Sequence, residues 1–336
     1  MKICIATMLV LFLCLFGCKK EEEAPVEQMQ ERTRVLLDTD ANNELDDQHA
    51  IAYMLFNGNI FDVEGITVNR TRGGGDLNEH FKEAERVINL CGLESKIKIF
   101  KGADKTFEGI KDDVKNETFD GSDAVNFIIE RSNTKSDQKL VLLPVGKLTN
   151  IALALHKDPS IASKVRIVWL GSNYPEPGEY NQENDLSALE YILDLSIDFE
   201  IVTVRYGKST GTAAVYATKE EIEKNMSGKG PQIKTLVVGR HGKSFNNFGD
   251  YSVNLFSNCD FYGDPPHRSL FDMAAVAIVK DSTWAIPIEI PTPKLVEGNW
   301  IDRPENSNKI IIWENFDKEK IMNDFYSTME NYVLVN

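Results

Sequence analysis

The chain has 336 residues, 42% hydrophobic and 26% charged, enough for one large domain or two small ones. Its formal net charge of −15 excludes attraction to nucleic acid through the overall field. Among its five cysteines, no Cys–His spacing matches a zinc site.

The amino terminus stands apart from the rest. Lys2 precedes an apolar run from Ile3 to Phe16, within which begins Leu15-Phe16-Gly17-Cys18. A basic start with a short apolar stretch is a secretory signal, too short to span a membrane as a helix. Leu-Phe-Gly-Cys resembles the bacterial lipobox, which implies cleavage before Cys18 and lipidation of that residue. A plain signal peptide is the competing reading. The expected location is therefore the bacterial cell envelope, the mature chain being held to a membrane through lipid on Cys18. Residues 18–33 are charged and aperiodic, as a flexible tether is. Their Lys-Lys-Glu-Glu-Glu start resembles surface-export tethers of some bacterial lipoproteins. Removing residues 1–17 takes away one lysine and no acid, so −15 becomes −16. Cys91 and Cys259 then leave room for one disulfide, but Cys91 follows an apolar helix and reads as a buried small hydrophobe.

Val35-Leu36-Leu37 reads as a short buried strand. Asp38, Asp40, Asp46 and Asp47 follow within ten residues, around the turn-rich Ala41-Asn42-Asn43-Glu44. Gln48 to Leu55 reads as a helix, so these acids sit where a strand ends and a helix begins. Phe61 to Asn69 is a second strand, and Arg70 to Gly75 a loop that does not fit the GxGxxG dinucleotide fingerprint. Then come an amphipathic helix over 78–90, a strand over 96–100, a helix over 124–131 and a buried strand over 139–146. A helix over 148–156, a strand over 165–171, a helix over 187–195 and a strand over 199–204 complete the regular part. Apolar strands alternating with helices predict one α/β domain over residues 34–336, a mostly parallel open sheet with helices on both faces. Beyond Tyr206, helices are expected over 220–225, 232–239 and 270–279. Residues 284–288 and 309–313 are expected as peripheral antiparallel strands.

In an open α/β sheet, ligands bind at the carboxyl ends of the strands. Four carboxylates packed this closely repel one another unless a positive group sits among them, and a hard cation with oxygen ligands suits them. The competing reading is a solvated acidic loop with Asp capping the helix.

The stretch also resembles the DTDPGIDDA signature of the inosine-uridine preferring nucleoside hydrolases, here as DTD-ANNE-LDD. Val145-Gly146-Lys147-Leu148-Thr149-Asn150 is similar to the family's GPLTNLA. Trp169 to Asn173, then Glu179-Tyr180-Asn181, resembles its GN…AEFN at matched spacing. Ser269-Leu270-Phe271-Asp272 aligns with its HDP-type segment. The resemblance covers roughly residues 34–280. It implies a nucleoside-hydrolase-like fold and calcium-dependent hydrolysis of an N-ribosyl bond. Asp40, Asp47, Asp272 and the Thr149 carbonyl would hold Ca2+, and Asp40 would be the general base. Asp46, Asn173, Glu179 and Asn181 would hold ribose, with Asn69 a further candidate at an unsettled offset. Phe271 stands where the family's inosine-uridine type has a proton-donating His, and would stack on the base as purine-specific relatives do. His49, His241 and His267 are candidate acids in place of the missing one, each competing with a structural role.

Two other readings stay open. Asp38-Thr39-Asp40-Ala41-Asn42 is close to the DxDx[TV] of haloacid-dehalogenase-type phosphohydrolases, with Asp38 as nucleophile. A non-catalytic, surface-anchored binder of nucleosides or glycans is the other. The partners expected are a small ribosyl substrate and a membrane; assembly with further copies is left open.

Overall fold

The computed structural model describes residues 31–336. The predicted leader, Cys18 and the tether as far as residue 30 lie outside the described residues. Arg32 to Asn336 forms one compact unit. None of the described helices is long and apolar enough to cross a membrane.

Strand β1 (Thr33–Thr39) is buried from Arg34 onwards. Val35 and Leu37 enter one core and Leu36 the other, as the two-residue period of a strand requires. Each such side chain contributes about 1.5–3 kcal/mol relative to exposure. In chain order there follow α1 (Asp46–Leu55), β2 (Phe61–Val68), α2 (Leu77–Leu90), β3 (Ile99–Lys101), α3 (Ser122–Ser132), β4 (Leu140–Pro144) and α4 (Thr149–Lys157). Next are β5 (Val165–Leu170), α5 (Tyr180–Asn184), α6 (Leu186–Leu193) and β6 (Asp198–Val202). The last third holds β7 (Tyr216–Ala217), α7 (Lys219–Met226), β8 (Val237–Val238), β9 (Ser244–Phe245), α8 (Phe248–Phe256), β10 (Arg268–Ser269) and α9 (Phe271–Lys280). It ends with β11 (Ile286–Pro291), β12 (Lys294–Val296), β13 (Asn299–Ile301), β14 (Lys309–Glu314) and α10 (Lys318–Glu330).

The main sheet has the order β11-β14-β6-β5-β4-β1-β2-β3. All of its pairings are parallel except β11 with β14. The chain first builds outward from β1 through β2 to β3, then returns to lay β4 on the other side of β1. The crevice above β1 and β4 is therefore the topological switch point of the sheet, where ligands of open α/β folds bind. Cores on both faces explain the unbroken apolar runs of β1, β4 and β5.

Two expectations are corrected, and one helix is added. Residues 232–239 are not helical: they end in β8, which pairs antiparallel with β9. Gly230-Pro231 before the segment and Gly239 as its last residue withhold helical support at both ends. Residues 243–264, for which no element is expected from sequence, hold α8, whose N-cap Asn247 accepts from Asp250 N. The late strands are only half peripheral: β11 is the edge, but β14 lies parallel on β6. Cys91 is buried and unpaired, and Cys259 is also free.

Candidate active site

The acids of the first motif arrive at the switch point by two local routes, a strand end and a helix start. Asp38 and Thr39 end β1, and Asp40 lies just beyond it. Asp46 and Asp47 open α1, whose N-cap is Leu45 with no side-chain capping bond. They are therefore not caps, and their carboxylates remain free to face the crevice. Asp272 sits in the first turn of α9. Carboxylate oxygens of Asp46, Asp47 and Asp272 lie within 4.8 Å of one another, all buried.

Burial pushes Asp46 up to about 7, with the charge of Glu44 adding to it. Asp47 and Asp272 are raised well above the usual carboxylate range by burial and by their acidic neighbours. Three enclosed like charges favour either protonation or a cation, and an all-oxygen donor set fits a hard divalent ion. The Thr39 hydroxyl donates to Asp47 Oδ1, orienting its carboxylate. Asp40 is pushed up to about 7 by burial, against the Thr71 hydroxyl that donates to its Oδ2. A Cβ on Gly146 would lie 2.8 Å from Asp40 Oδ1 and 3.0 Å from Asn69 Nδ2, so only glycine lets β4 end this close to the acid.

Asp38 is different. It is fully buried and accepts from Thr67 at 2.6 Å, Asn150 at 2.7 Å and Asn69 at 2.8 Å. It does not line the cleft, so it holds strand ends together and is not placed to attack a phosphoester.

The inner cleft is small, about 80 Å³, and brings together Asp40, Asp46, Asp47, Glu179, Asn181, Phe271 and Asp272. Glu179 caps α5: its Oε2 accepts from Ser172 N and Gln182 N, both at 2.9 Å. Ser172 takes a left-handed φ of 67° to present that N–H, a strained conformation of the kind that clusters at functional sites. Asn181 Nδ2 donates to the carbonyls of Val145 at 2.7 Å and Leu170 at 3.2 Å, so it stitches the ends of β4 and β5 together.

Three predicted residues fall outside the cleft wall. Thr149 is fully buried in the first turn of α4, its hydroxyl donating to Asp185. The residue just past β4 that lines the cleft is Val145. Asn173 braces a loop, donating to Gly178 O and accepting from Tyr206 N at 3.2 Å. Asn69 lies behind Asp40 on Asp38, its Oδ1 buried without a partner.

Beyond Phe271 a larger cavity opens, about 680 Å³, walled by Tyr206, Tyr216, Tyr262, His267 and Arg268. Glu44, Tyr206 and Phe271 line both chambers. Glu44, the last residue of the Ala41–Glu44 turn, pairs with Arg268 across the mouth. Of the three candidate histidines, His267 alone lines this cavity, stacked on Tyr216 at 3.9 Å. His49 is enclosed between Leu45 O and Ser252 Oγ and lowered to about 4 by burial. His241 is exposed, in the turn that joins β8 to β9.

This arrangement can be set beside known proteins. The family model for inosine-uridine preferring nucleoside hydrolases matches residues 35–323. The chain belongs to that family. An inosine-uridine preferring nucleoside hydrolase of Crithidia fasciculata is 27% identical over 195 residues, 52% of this chain and 57% of that protein. The chain thus matches little more than half the length of that relative. A pyrimidine-specific ribonucleoside hydrolase of Escherichia coli is 30% identical over 70% of this chain and 76% of its own. Among solved structures, a plant nucleoside hydrolase superposes with a TM-score of 0.69 at 18% identity, covering 89% of this chain and 99% of that one. A purine-preferring ribonucleoside hydrolase of Gardnerella vaginalis gives 0.68 at 19% identity, covering 88% and 98%. These superpositions establish the nucleoside hydrolase fold. Within it, Val145, Thr71, Tyr206 and Glu44 were not singled out as site residues by sequence. Only Val145 carries a local signal, its place between Pro144, which ends β4, and Gly146.

Proposed function

We propose that the chain hydrolyses the N-ribosyl bond of a nucleoside with a calcium ion in the cleft. The observation that carries this is the enclosure of Asp46, Asp47 and Asp272 within 4.8 Å, in the same cleft as Asp40, Glu179 and Asn181. Asp40, Asp47 and Asp272 would hold the ion, and Val145 offers the β4-end carbonyl. When bound, calcium lowers the pKa of water. Asp40 accepts the proton of the attacking water as general base. Asp46, Glu179 and Asn181 hold the ribose hydroxyls, since amide and carboxylate side chains match the donors and acceptors of a sugar. Held so, the ring flattens toward the oxocarbenium-like transition state.

The reading is tested by ribose release over a panel of nucleosides, with calcium and with a chelator. Release that depends on calcium supports it. Phosphate release from phosphoesters without ribose release points to the phosphohydrolase, and tight nucleoside binding without turnover to the binder.

Phe271 offers its ring at the junction of the two chambers, edge-to-face with Tyr206 at 5.8 Å. Phe271→Ala removes stacking worth about 0.5–1.5 kcal/mol, so kcat/KM should fall by roughly tenfold at most. The loss should be larger for purine than for pyrimidine nucleosides, because a purine has more stacking face. Equal losses for both would remove Phe271 from base recognition.

Anchoring rests on Leu15-Phe16-Gly17-Cys18 alone. Expressed with its leader, the protein should partition with membranes and incorporate lipid label, and Cys18→Ala should take up none. Equal labelling of the variant rules the anchor out.

A further inference from the structure

The turn after β2, Arg70 to Gly75, has no part in the reaction described above, yet it is fastened to the cleft at one atom. The Thr71 hydroxyl donates to Asp40 Oδ2, and Thr71 is 2% exposed. The Tyr180 hydroxyl donates to Thr71 Oγ1 at 3.3 Å. The Gly73 N–H donates to the Tyr180 oxygen at 2.7 Å. An amide N–H only donates and a carboxylate only accepts, so the direction of every bond in this chain is set. Bonds aligned in this way polarise one another.

The outside of the chain is closed as well. The Arg72 guanidinium lies 4.5 Å from the centroid of the Tyr180 ring and pairs with Glu183 at 3.0 Å. The Arg72 N–H donates to Asn184 Oδ1 at 2.8 Å. A Cβ on Gly73 would come within 2.8 Å of the Tyr180 hydroxyl oxygen, so glycine is what allows the approach. The turn is thereby clasped to α5, which carries Asn181 and is capped by Glu179. A merely space-filling turn would not need a hydroxyl at 71, a phenol at 180 and no side chain at 73 together.

We propose that Thr71, backed by Tyr180, is a positioning residue that fixes the rotation of the Asp40 carboxylate. This rests on the reading of Asp40 as base and metal ligand. Thr71→Val keeps the shape of the side chain and removes its donor; Thr71→Ser keeps the donor.

The experiment uses the full chain with ribonucleosides and calcium. Thr71→Val should lower kcat about 10- to 100-fold, the range for losing a group that orients a ligand. KM should change much less, because the ribose is held by other residues. Thr71→Ser should restore most of kcat, and Tyr180→Phe should move kcat the same way by less. Calcium affinity by calorimetry is read on the same proteins, independently of turnover. Kd should rise at least about tenfold in Thr71→Val and recover in Thr71→Ser. Unchanged kcat and Kd in Thr71→Val overturn the proposal, and so do equal losses in the Val and Ser variants, which would place the effect in packing. If Thr71→Val does not fold, Tyr180→Phe decides, and wild-type behaviour there overturns the proposal. If the wild type cleaves no nucleoside, the reaction assigned to the cleft fails, and the calorimetric comparison decides on Thr71 alone. A wild type that neither cleaves nor binds calcium overturns both.

Discussion

Asp40→Asn should lower kcat on the best nucleoside by at least about 100-fold, the low end for general base catalysis. The substitution keeps the size of the side chain and an oxygen for the Thr71 hydroxyl, so the chain should still fold. What it removes is the basic oxygen and one negative charge. Substrate binding should suffer much less, because Asp46, Glu179 and Asn181 reach the same cleft from α1 and α5. The pattern to look for is a collapse of kcat with KM within a few-fold, which marks an interaction made mainly in the transition state. Turnover that survives the substitution removes Asp40 from the chemistry. A loss confined to KM makes it a binding group instead.

The parts of this site that sequence reveals are those built from neighbours in the chain. Asp40, Asp46 and Asp47 fall at a strand end and a helix start, and both boundaries show in the apolar pattern around them. Asp272 and Phe271 open α9 for the same reason. Thr149 and Val145 show what a sequence pattern leaves open. A four-residue offset separates a strand-end carbonyl from one inside a helix, and only the place where β4 stops decides between them. Thr71, Tyr206 and Arg268 are invisible because each gains its meaning from a contact across the fold. Thr71 meets Asp40 after 31 residues and Arg268 meets Glu44 after 224. The same holds for the sheet. The alternation from β1 to β6 is plain in the sequence, but β14 joins β6 over a separation that no local period reports. The helix expected over 232–239 failed for a local reason: the apolar residues were there, but Gly230, Pro231 and Gly239 outweighed them.

Calcium in excess should raise the melting temperature, and the behaviour of Asp47→Asn should reverse sign with the metal. An ion that binds only the native state at 100 times its dissociation constant stabilises by about 2.7 kcal/mol. For a domain of this size that is several degrees of melting temperature. Without the ion, Asp46, Asp47 and Asp272 confront one another across less than 4.8 Å in a buried place. Asp47→Asn removes one of those like charges and keeps an acceptor for the Thr39 hydroxyl. In chelator the variant should therefore melt at or above the wild type. In calcium it should fall below, because it has lost a ligand and gains little from the ion. Asp38→Asn is the contrasting case. Asp38 is buried outside the cleft and saturated by Thr67, Asn150 and Asn69. Its loss should destabilise equally in both conditions and leave the calcium gain intact. Scanning calorimetry of the three proteins in both buffers gives the answer. Should Asp47→Asn destabilise alike with and without calcium, or keep the full gain, the three carboxylates are a structural cluster and the ion must be sought elsewhere.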